Sequence, residues 1–228
     1  MLARMKPPAS PPSARKPWRA LECALLFIGV PTVVAAGWLP VLVIPLLVLM
    51  AIGCGIVLRR RHGLGLAELM RPKVPRQEWQ RILAIYLLTV PGLIGLLWLL
   101  KPAVLFSLIV LHPKLWLLVI IAYPLLSVLP QELIYRAYFF ARYRPLFGDG
   151  PGLVLASAGV FAFGHLVFHN WPAVALTFCG GWLFGQTYRR TGSLLAAAVE
   201  HALYGCAIFT IGYGQFFFDG TMRLVRGG

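Results

Sequence analysis

Long apolar stretches separated by short basic clusters constrain the fold of this 228-residue chain most strongly. A membrane-spanning helix needs about 20 mostly apolar residues, and seven stretches approach or exceed that length: 21–36, 41–58, 82–100, 115–140, 153–168, 173–188 and 194–213. The mean hydropathy is +0.78 and only 12% of the residues are charged, whereas soluble domains carry about 25%. We therefore predict an all-α fold, a polytopic membrane helical bundle of about seven transmembrane helices.

The stretch 103–111 is apolar but too short to cross a bilayer. Because Lys101 and Lys114 lie on either side of it, both of its ends are expected at the same membrane face, as one short re-entrant or interfacial segment. Basic residues also concentrate at 59–62 and 71–81, and an excess of Lys and Arg is typical of cytoplasmic loops. We expect a multi-pass integral membrane protein of the bacterial inner membrane with its N-terminus in the cytoplasm.

The net charge of +14 would favour nucleic-acid binding only if the basic residues formed one patch. They are instead distributed among the loops between apolar stretches, so we predict membrane lipid as a partner and no nucleic acid. The cysteines all lie within apolar stretches and lack the CxxC spacing of metal sites. We interpret them as small buried apolar side chains.

Residues 1–19 combine five prolines with five basic residues, a composition that does not form a helix. We predict a basic, Pro-rich disordered tail there and a single intramembrane domain over 20–228. The apolar stretch 21–36 has two interpretations, a signal peptide with a small-residue cleavage site or a first transmembrane helix. The second is favoured because another span follows at once.

Glu132 and Arg136 lie inside the apolar stretch 115–140, where no charged residue precedes them. Such charges cost several kcal/mol in a membrane unless they are paired or face water. A spacing of four residues places both on one helix face. The pair is therefore either a structural ion pair or part of a functional site.

Two histidines on other spans reach a similar depth. At about 1.5 Å per helical residue, Glu132, His165 and His201 lie about 15, 22 and 16 Å from the predicted cytoplasmic surface, near the middle of a hydrocarbon core of about 30 Å. A single membrane histidine is commonly an interhelical hydrogen-bonding residue, but three ionisable residues at one level indicate a common task. Glu200 points about 100° away from His201 and is expected to face elsewhere.

One glutamate and two histidines suit peptide hydrolysis. The carboxylate would take a proton from water, one imidazole would orient that water, and the other would donate to the developing oxyanion. The same residue types bind zinc in His2Glu sites, but the chain has no HExxH motif. We predict no cofactor, and a zinc site through His165 and His201 stays open.

Three motifs resemble those of the CPBP family (CAAX proteases and abortive-infection proteins), which includes the type II CAAX prenyl endopeptidase. Its EExxxR, FxxxH and HxxxN patterns correspond to 131–136 (QELIYR), 161–165 (FAFGH) and 201–205 (HALYG), and the resemblance covers residues 115–213. It implies an intramembrane glutamic-type endopeptidase that acts on a peptide or protein with a membrane-associated tail. On this hypothesis the catalytic residues are Glu132, His165 and His201, and the supporting residues are Gln131 and Arg136.

The chain departs from the family pattern at two positions. Gln131 stands where the family has the glutamate that activates water, and Gly205 stands where an asparagine binds the oxyanion. We hypothesise that Glu132 replaces the lost base and that Tyr204 or Asn170 replaces the lost donor. One alternative function is a non-catalytic membrane scaffold or immunity-type protein that binds a peptide or partner helix. A transporter or proton relay is another, although no inverted repeat is evident.

Overall fold

The computed structural model describes residues 16–38, 43–70 and 73–217, and every regular element within these ranges is helical. We number the helices in chain order. They are α1 (Lys16–Ala24, then a π-helical turn at Leu25–Gly29, then Val30–Ala35), α2 (Val43–His62), α3 (Leu66–Leu69), α4 (Arg76–Leu100), α5 (Ser107–Leu111), α6 (Pro113–Phe147), α7 (Pro151–Gly164, extended by a 3₁₀ turn at His165–Phe168), α8 (Trp171–Thr191) and α9 (Leu194–Ile211).

Within the described ranges, six helices are long and apolar enough to cross a membrane, namely α1, α2, α4, α6, α7 and α9. The predicted all-α polytopic bundle is thus confirmed, and the protein is an integral membrane protein. The remaining predicted span, 173–188, is helical as part of α8. α8 is not among the six, and its C-terminal turns carry the polar residues Gln186, Arg189 and Arg190. It packs against α7 and α9.

The centre of the bundle is α9. In its most apolar window 61% of the residues are buried inside the protein, against 6–11% for α1, α2 and α4. Three consecutive small residues, Ala196, Ala197 and Ala198, are buried on this helix and allow neighbouring backbones to approach closely. Because α4, α6 and α8 all pack against α9, polar side chains on α9 lie inside the protein and away from lipid.

Helix α1 packs into the bundle through Phe27, whose ring meets Tyr135, Phe139 and Tyr143 of α6 edge-on at centroid distances of 5.2–5.8 Å. Such edge-to-face pairs stabilise a core beyond their area burial. One turn away, the Glu22 carboxylate accepts hydrogen bonds from three side chains of α6. These contacts favour a transmembrane helix over a signal peptide for the first apolar stretch.

The boundary of the predicted tail differs from the structure. Residues 16–19 belong to the first turn of α1, whereas they were assigned to a disordered tail over 1–19. Pro17 is compatible with a helix there because the first turn of a helix needs no N–H donor from it. Residues 1–15 lie outside the described residues.

Helix α6 is interrupted by two π-helical turns, at Pro124–Val128 and at Leu133–Tyr138. The first of these π turns begins at Pro124, and proline interrupts the hydrogen-bond ladder of a helix because it has no N–H. Single π turns inside α-helices occur frequently at functional sites. The short α-helical segment between them, Leu129–Glu132, contains Gln131 and Glu132, and Arg136 lies in the second π turn.

The predicted short segment at 103–111 is a 3₁₀ turn at Pro102–Val104 followed by the five-residue helix α5. The Phe106 N–H donates to the Ile211 carbonyl over 2.8 Å, which holds the segment against the end of α9. Its length agrees with the predicted segment that does not cross the membrane.

Candidate active site

A cavity of about 710 Å³ lies among α2, α4, α6, α7, α8 and α9. Most of its wall is aliphatic or aromatic. The polar side chains that line it include those of Tyr123, Ser127, Gln131, His165 and His201. The two histidines predicted from their depth therefore meet at one cavity, although they come from different helices.

Glu132 lies behind His201, away from the cavity wall. Its side chain is 0% exposed, and it does not line the cavity. Its Oε1 accepts a hydrogen bond from Nδ1 of His201 over 2.9 Å, and its Oε2 lies 3.3 Å from Nε of Arg136. The carboxylate thus contacts the cavity only through the imidazole of His201.

The hypothesis that Glu132 takes a proton directly from water in the cavity differs from this geometry. Gln131, one residue earlier, is the side chain of this pair that lines the cavity. Neighbouring residues point about 100° apart on a helix, and Glu132 is not among the residues that line the cavity. Glu132 instead points to His201 and Arg136.

Arg136 holds Glu132 from the other side. Its guanidinium is fully buried, its Nη1 donates to Ser157 Oγ over 3.3 Å, and its Cζ lies 4.8 Å from the centre of the Phe161 ring. Ser157 in turn donates to the Tyr135 carbonyl over 2.7 Å. A buried charge needs this kind of pairing, so the predicted ion pair of Glu132 and Arg136 exists, and it is joined to a histidine of the cavity.

The hydrogen-bond partners of the histidines define which nitrogen carries the proton. His165 Nδ1 lies 2.7 Å from the Phe161 carbonyl, and a carbonyl can only accept, so Nδ1 donates. His201 Nδ1 likewise donates to the carboxylate of Glu132. Each neutral imidazole therefore presents Nε2 without a proton, as a hydrogen-bond acceptor.

Aromatic rings fix the orientation of His201. Phe184 of α8 stacks on it with a centroid distance of 4.5 Å and an interplanar angle of 14°. Phe161 of α7 meets it edge-on at 5.6 Å and also contacts His165 at 4.6 Å. Phe161 therefore packs between both imidazoles and the guanidinium of Arg136, which gives the phenylalanine of the FxxxH motif a physical role.

A comparison with protein families finds a match for the part of the chain that contains this site. Residues 113–207 match the family model described as Type II CAAX prenyl endopeptidase Rce1-like, close to the stretch 115–213 on which the predicted resemblance rested. This part of the chain is an Rce1-like domain. The searches of curated proteins and of solved structures found no match. At the coarse level, residues 113–207 of this membrane protein therefore resemble a protease domain of the CAAX type.

The Rce1-like domain contains one contact that the sequence did not reveal. The Tyr123 hydroxyl lies 3.0 Å from Nε2 of His201, at the end of the first segment of α6. Gly205 stands four residues after His201 on α9 and faces the phenol ring of Tyr123. A Cβ atom at position 205 would collide with that ring. The i, i+4 spacing of His201 and Gly205 indicated that both lie on one face of α9. Nothing in the sequence indicated that Tyr123 contacts that face.

The two residues that we expected to replace the asparagine of the last motif have other partners. The Tyr204 side chain lines the cavity, but its hydroxyl is hydrogen-bonded to Thr89 Oγ1 over 2.8 Å. Asn170 caps α8, since its Oδ1 accepts from the Ala173 N–H, and its amide nitrogen donates to two carbonyls. Asn170 therefore has a structural role in the domain.

Among the described residues, no group of three or more His, Cys, Asp and Glu side chains is arranged to hold a metal ion. His165 and His201 are the two imidazoles at the cavity of the Rce1-like domain. Glu132 does not fit as a third ligand beside Nε2 of His201, because it is bonded to the opposite nitrogen of that ring.

Proposed function

We propose that this protein is an intramembrane endopeptidase that hydrolyses a peptide bond of a membrane-associated substrate with a histidine-activated water. The observation that carries the proposal is the pair His165 and His201, which line one cavity while an acceptor engages the Nδ1 of each ring. Two imidazoles with unprotonated Nε2 atoms at a mostly apolar cavity suit proton transfer from water.

His165 is the proposed general base. Its Nε2 takes a proton from the water as the water oxygen bonds to the substrate carbonyl carbon. When the carbon–nitrogen bond breaks, the same imidazole returns that proton to the leaving amine. Gln131 Oε1 is buried and has no partner within the described part of the chain, so it is available to accept a hydrogen bond from the attacking water.

Glu132 and Arg136 are proposed as positioning residues that act through His201. The carboxylate fixes the tautomer and the orientation of His201, as carboxylate partners do for catalytic and metal-bound histidines. Arg136 lies beside this carboxylate and supplies a positive partner for it inside the bundle. His201 thereby presents Nε2 to the cavity as a fixed hydrogen-bond acceptor, rather than the donor expected from the HxxxN position.

The cavity wall supports a lipid-associated substrate. Ile44, Leu118 and Leu126 line the cavity and have 42–61% of their surface exposed, so this part of the wall is apolar and accessible. An apolar tail entering from the membrane would therefore be accommodated. The family description names a CAAX prenyl endopeptidase, so a farnesylated CAAX peptide is the first substrate to test.

The test uses purified protein in liposomes, a fluorescence-quenched farnesylated CAAX peptide and the same peptide without the farnesyl group. We expect the wild type to cleave the farnesylated peptide and His165→Ala to reduce kcat by at least about 100-fold, since general-base catalysis contributes about 10²–10⁴-fold. His112→Ala is the matched control, because His112 lies at an exposed position between α5 and α6. Thermal unfolding in detergent shows whether the variants are folded.

Two other outcomes would contradict this mechanism. A wild type that binds the peptides but cleaves neither would favour the non-catalytic scaffold, which the amide of Gln131 in place of a carboxylate also favours. Activity that is lost with 1,10-phenanthroline and restored with zinc would instead favour a metal held by His165 and His201. We expect the chelator to leave the cleavage rate unchanged.

A further inference from the structure

We propose that Tyr123 is a catalytic residue of this site, whose hydroxyl donates to the substrate carbonyl oxygen as negative charge develops there. Gly205 provides the space that its ring occupies. This inference rests on the proposed endopeptidase function and adds a residue that lies outside all three motifs.

The histidines leave the site short of hydrogen-bond donors. His165 and His201, when neutral, present only acceptor nitrogens to the cavity, because their Nδ1 protons are bonded to Phe161 O and Glu132. One N–H of the Gln131 amide donates to Ser127 over 2.7 Å, which leaves that side chain a single further N–H. An oxyanion needs donors that are already in place, and a hydroxyl beside the histidines adds one.

The Tyr123 hydroxyl satisfies this need by its position. It lines the cavity and lies 3.0 Å from Nε2 of His201. Because that nitrogen is an acceptor, the hydroxyl is the donor of this bond. Arg136 thus contacts Glu132, Glu132 contacts His201, and His201 contacts Tyr123 at the cavity. The buried ion pair therefore fixes the position of the Tyr123 hydroxyl through the imidazole of His201.

Gly205 has a specific reason to be a glycine. A glycine inside a helix costs about 1 kcal/mol relative to alanine, and α9 is otherwise well packed. A Cβ atom at position 205 would collide with Cε1, Cζ and the hydroxyl oxygen of Tyr123. Any other residue would push the tyrosine away from His201, so Gly205 and Tyr123 act as one unit.

The proposed step involves only a change of hydrogen-bond acceptor. In the resting site the Tyr123 hydrogen is directed at Nε2 of His201. As the carbonyl oxygen becomes negatively charged, the same O–H turns to that oxygen, and it turns back when the carbonyl re-forms. The tyrosine keeps its proton throughout, and no bond between heavy atoms changes at this residue.

The kinetic test is Tyr123→Phe in the liposome assay with the farnesylated CAAX peptide. We expect kcat to fall about 100-fold, as for the loss of one oxyanion donor, and KM to change by less than about twofold. Tyr213→Phe is the control, since Tyr213 is also buried and donates to a backbone carbonyl, that of Leu93, but it lies outside the cavity. An unchanged kcat in folded Tyr123→Phe would overturn the proposal.

A spectroscopic test reports on the hydrogen bond without any substrate. In protein labelled with ¹⁵N-histidine, the Nε2 resonance of His201 is assigned by its loss in His201→Gln. We expect it to shift in Tyr123→Phe and to stay in place in Tyr213→Phe. No shift would overturn the contact itself, whereas a shift in a protein that cleaves no peptide would show that the contact exists and that the proposed function, and with it the catalytic role, is wrong.

The link to Gly205 is tested by a double-variant cycle. Gly205→Ala alone should lower kcat about as much as Tyr123→Phe, because the added methyl group displaces the hydroxyl. Adding Gly205→Ala to Tyr123→Phe should then lower kcat by less than about threefold more. If the two losses multiply instead, Gly205 acts independently of Tyr123 and this part of the proposal is wrong.

Discussion

Two glutamates are fully buried in this apolar bundle, and they differ in their partners. Glu132 of α6 lies between His201 and Arg136, next to the cavity. Glu200 of α9 accepts a hydrogen bond from Thr187 over 2.5 Å and has Arg81 at 3.8 Å. Both side chains are 0% exposed, so burial alone does not distinguish a functional carboxylate from a structural one.

The surroundings of Glu200 indicate a structural role. Arg81 also pairs with Glu78 over 2.9 Å, and Glu78 lies 3.5 Å from Arg190, which is half exposed. This network joins α4, α8 and α9 and reaches the surface near the ends of those helices. Glu132, in contrast, ends at an imidazole of the cavity. The two buried carboxylates are therefore distinguished by the group at the far end of each ion network, an imidazole of the cavity for Glu132 and a surface arginine for Glu200.

The largest expected effect comes from Glu132→Gln. The substitution leaves the fully buried guanidinium of Arg136 without its counter-charge, and breaking a buried pair in this way costs about 3–5 kcal/mol. We expect a large drop in the denaturation midpoint in detergent, together with loss of peptide cleavage by the fraction that remains folded. A stable, fully active Glu132→Gln protein would remove the distinction between the two glutamates.

A double variant separates stability from catalysis. In Glu132→Gln with Arg136→Met both charges are removed, and replacing a buried ion pair by uncharged residues is often neutral for stability. We expect this variant to unfold near the wild-type temperature but to cleave peptide at least about 100-fold more slowly, because His201 loses its carboxylate partner. Recovery of both stability and activity would show that Glu132 serves the fold alone.

The matched change at the second glutamate, Glu200→Gln, should have a smaller effect. The amide can still accept the hydrogen bond of Thr187, and Arg81 keeps its pair with Glu78, so we expect a stability loss of about 1 kcal/mol. The cleavage rate per folded molecule should remain within about twofold of the wild type. A strong loss of cleavage without unfolding would place Glu200 in the catalytic machinery and would contradict its structural role.

The smallest effect is expected for Glu22→Gln at the contact of α1 with α6. This carboxylate accepts from Arg142 at 2.9 and 2.5 Å and from the hydroxyls of Tyr138 and Tyr143, but it is partly exposed. Ion pairs in such positions contribute about 0–1 kcal/mol. We expect a correspondingly small shift of the thermal unfolding midpoint, and a shift as large as that of Glu132→Gln would mean that α1 anchors the whole bundle.

The sequence was sufficient to predict the bundle and the meeting of the two histidines. Hydropathy located the spans, because lipid requires long apolar helices. Counting residues from the loops brought Glu132, His165 and His201 to one depth, and the contact of Glu132 with His201 fits that count. The expectation that Glu200 turns away from His201 also agrees with its observed partners.

The side of α6 that faces the cavity could not be predicted. The depth of a side chain in the membrane follows from counting residues, and an error of one residue shifts it by only about 1.5 Å. The direction in which the side chain points is more sensitive, because one residue changes it by about 100°. The π turns at Pro124–Val128 and Leu133–Tyr138 alter that phase within the motif. The contact of Tyr123 with Gly205 was missed for a related reason, since the two residues lie 82 positions apart and no local pattern joins them.

The first π turn of α6 makes the contacts of His201 sensitive to the number of residues in that turn. Tyr123 precedes the turn Pro124–Val128 and Glu132 follows it, yet both side chains bond to opposite nitrogens of the same imidazole. A π turn accommodates about one residue more than an α-helical turn. The angle between the tyrosine and the glutamate is therefore set by chain length, so removing a single residue from this turn would rotate one partner off His201 without altering any chemical group of the site.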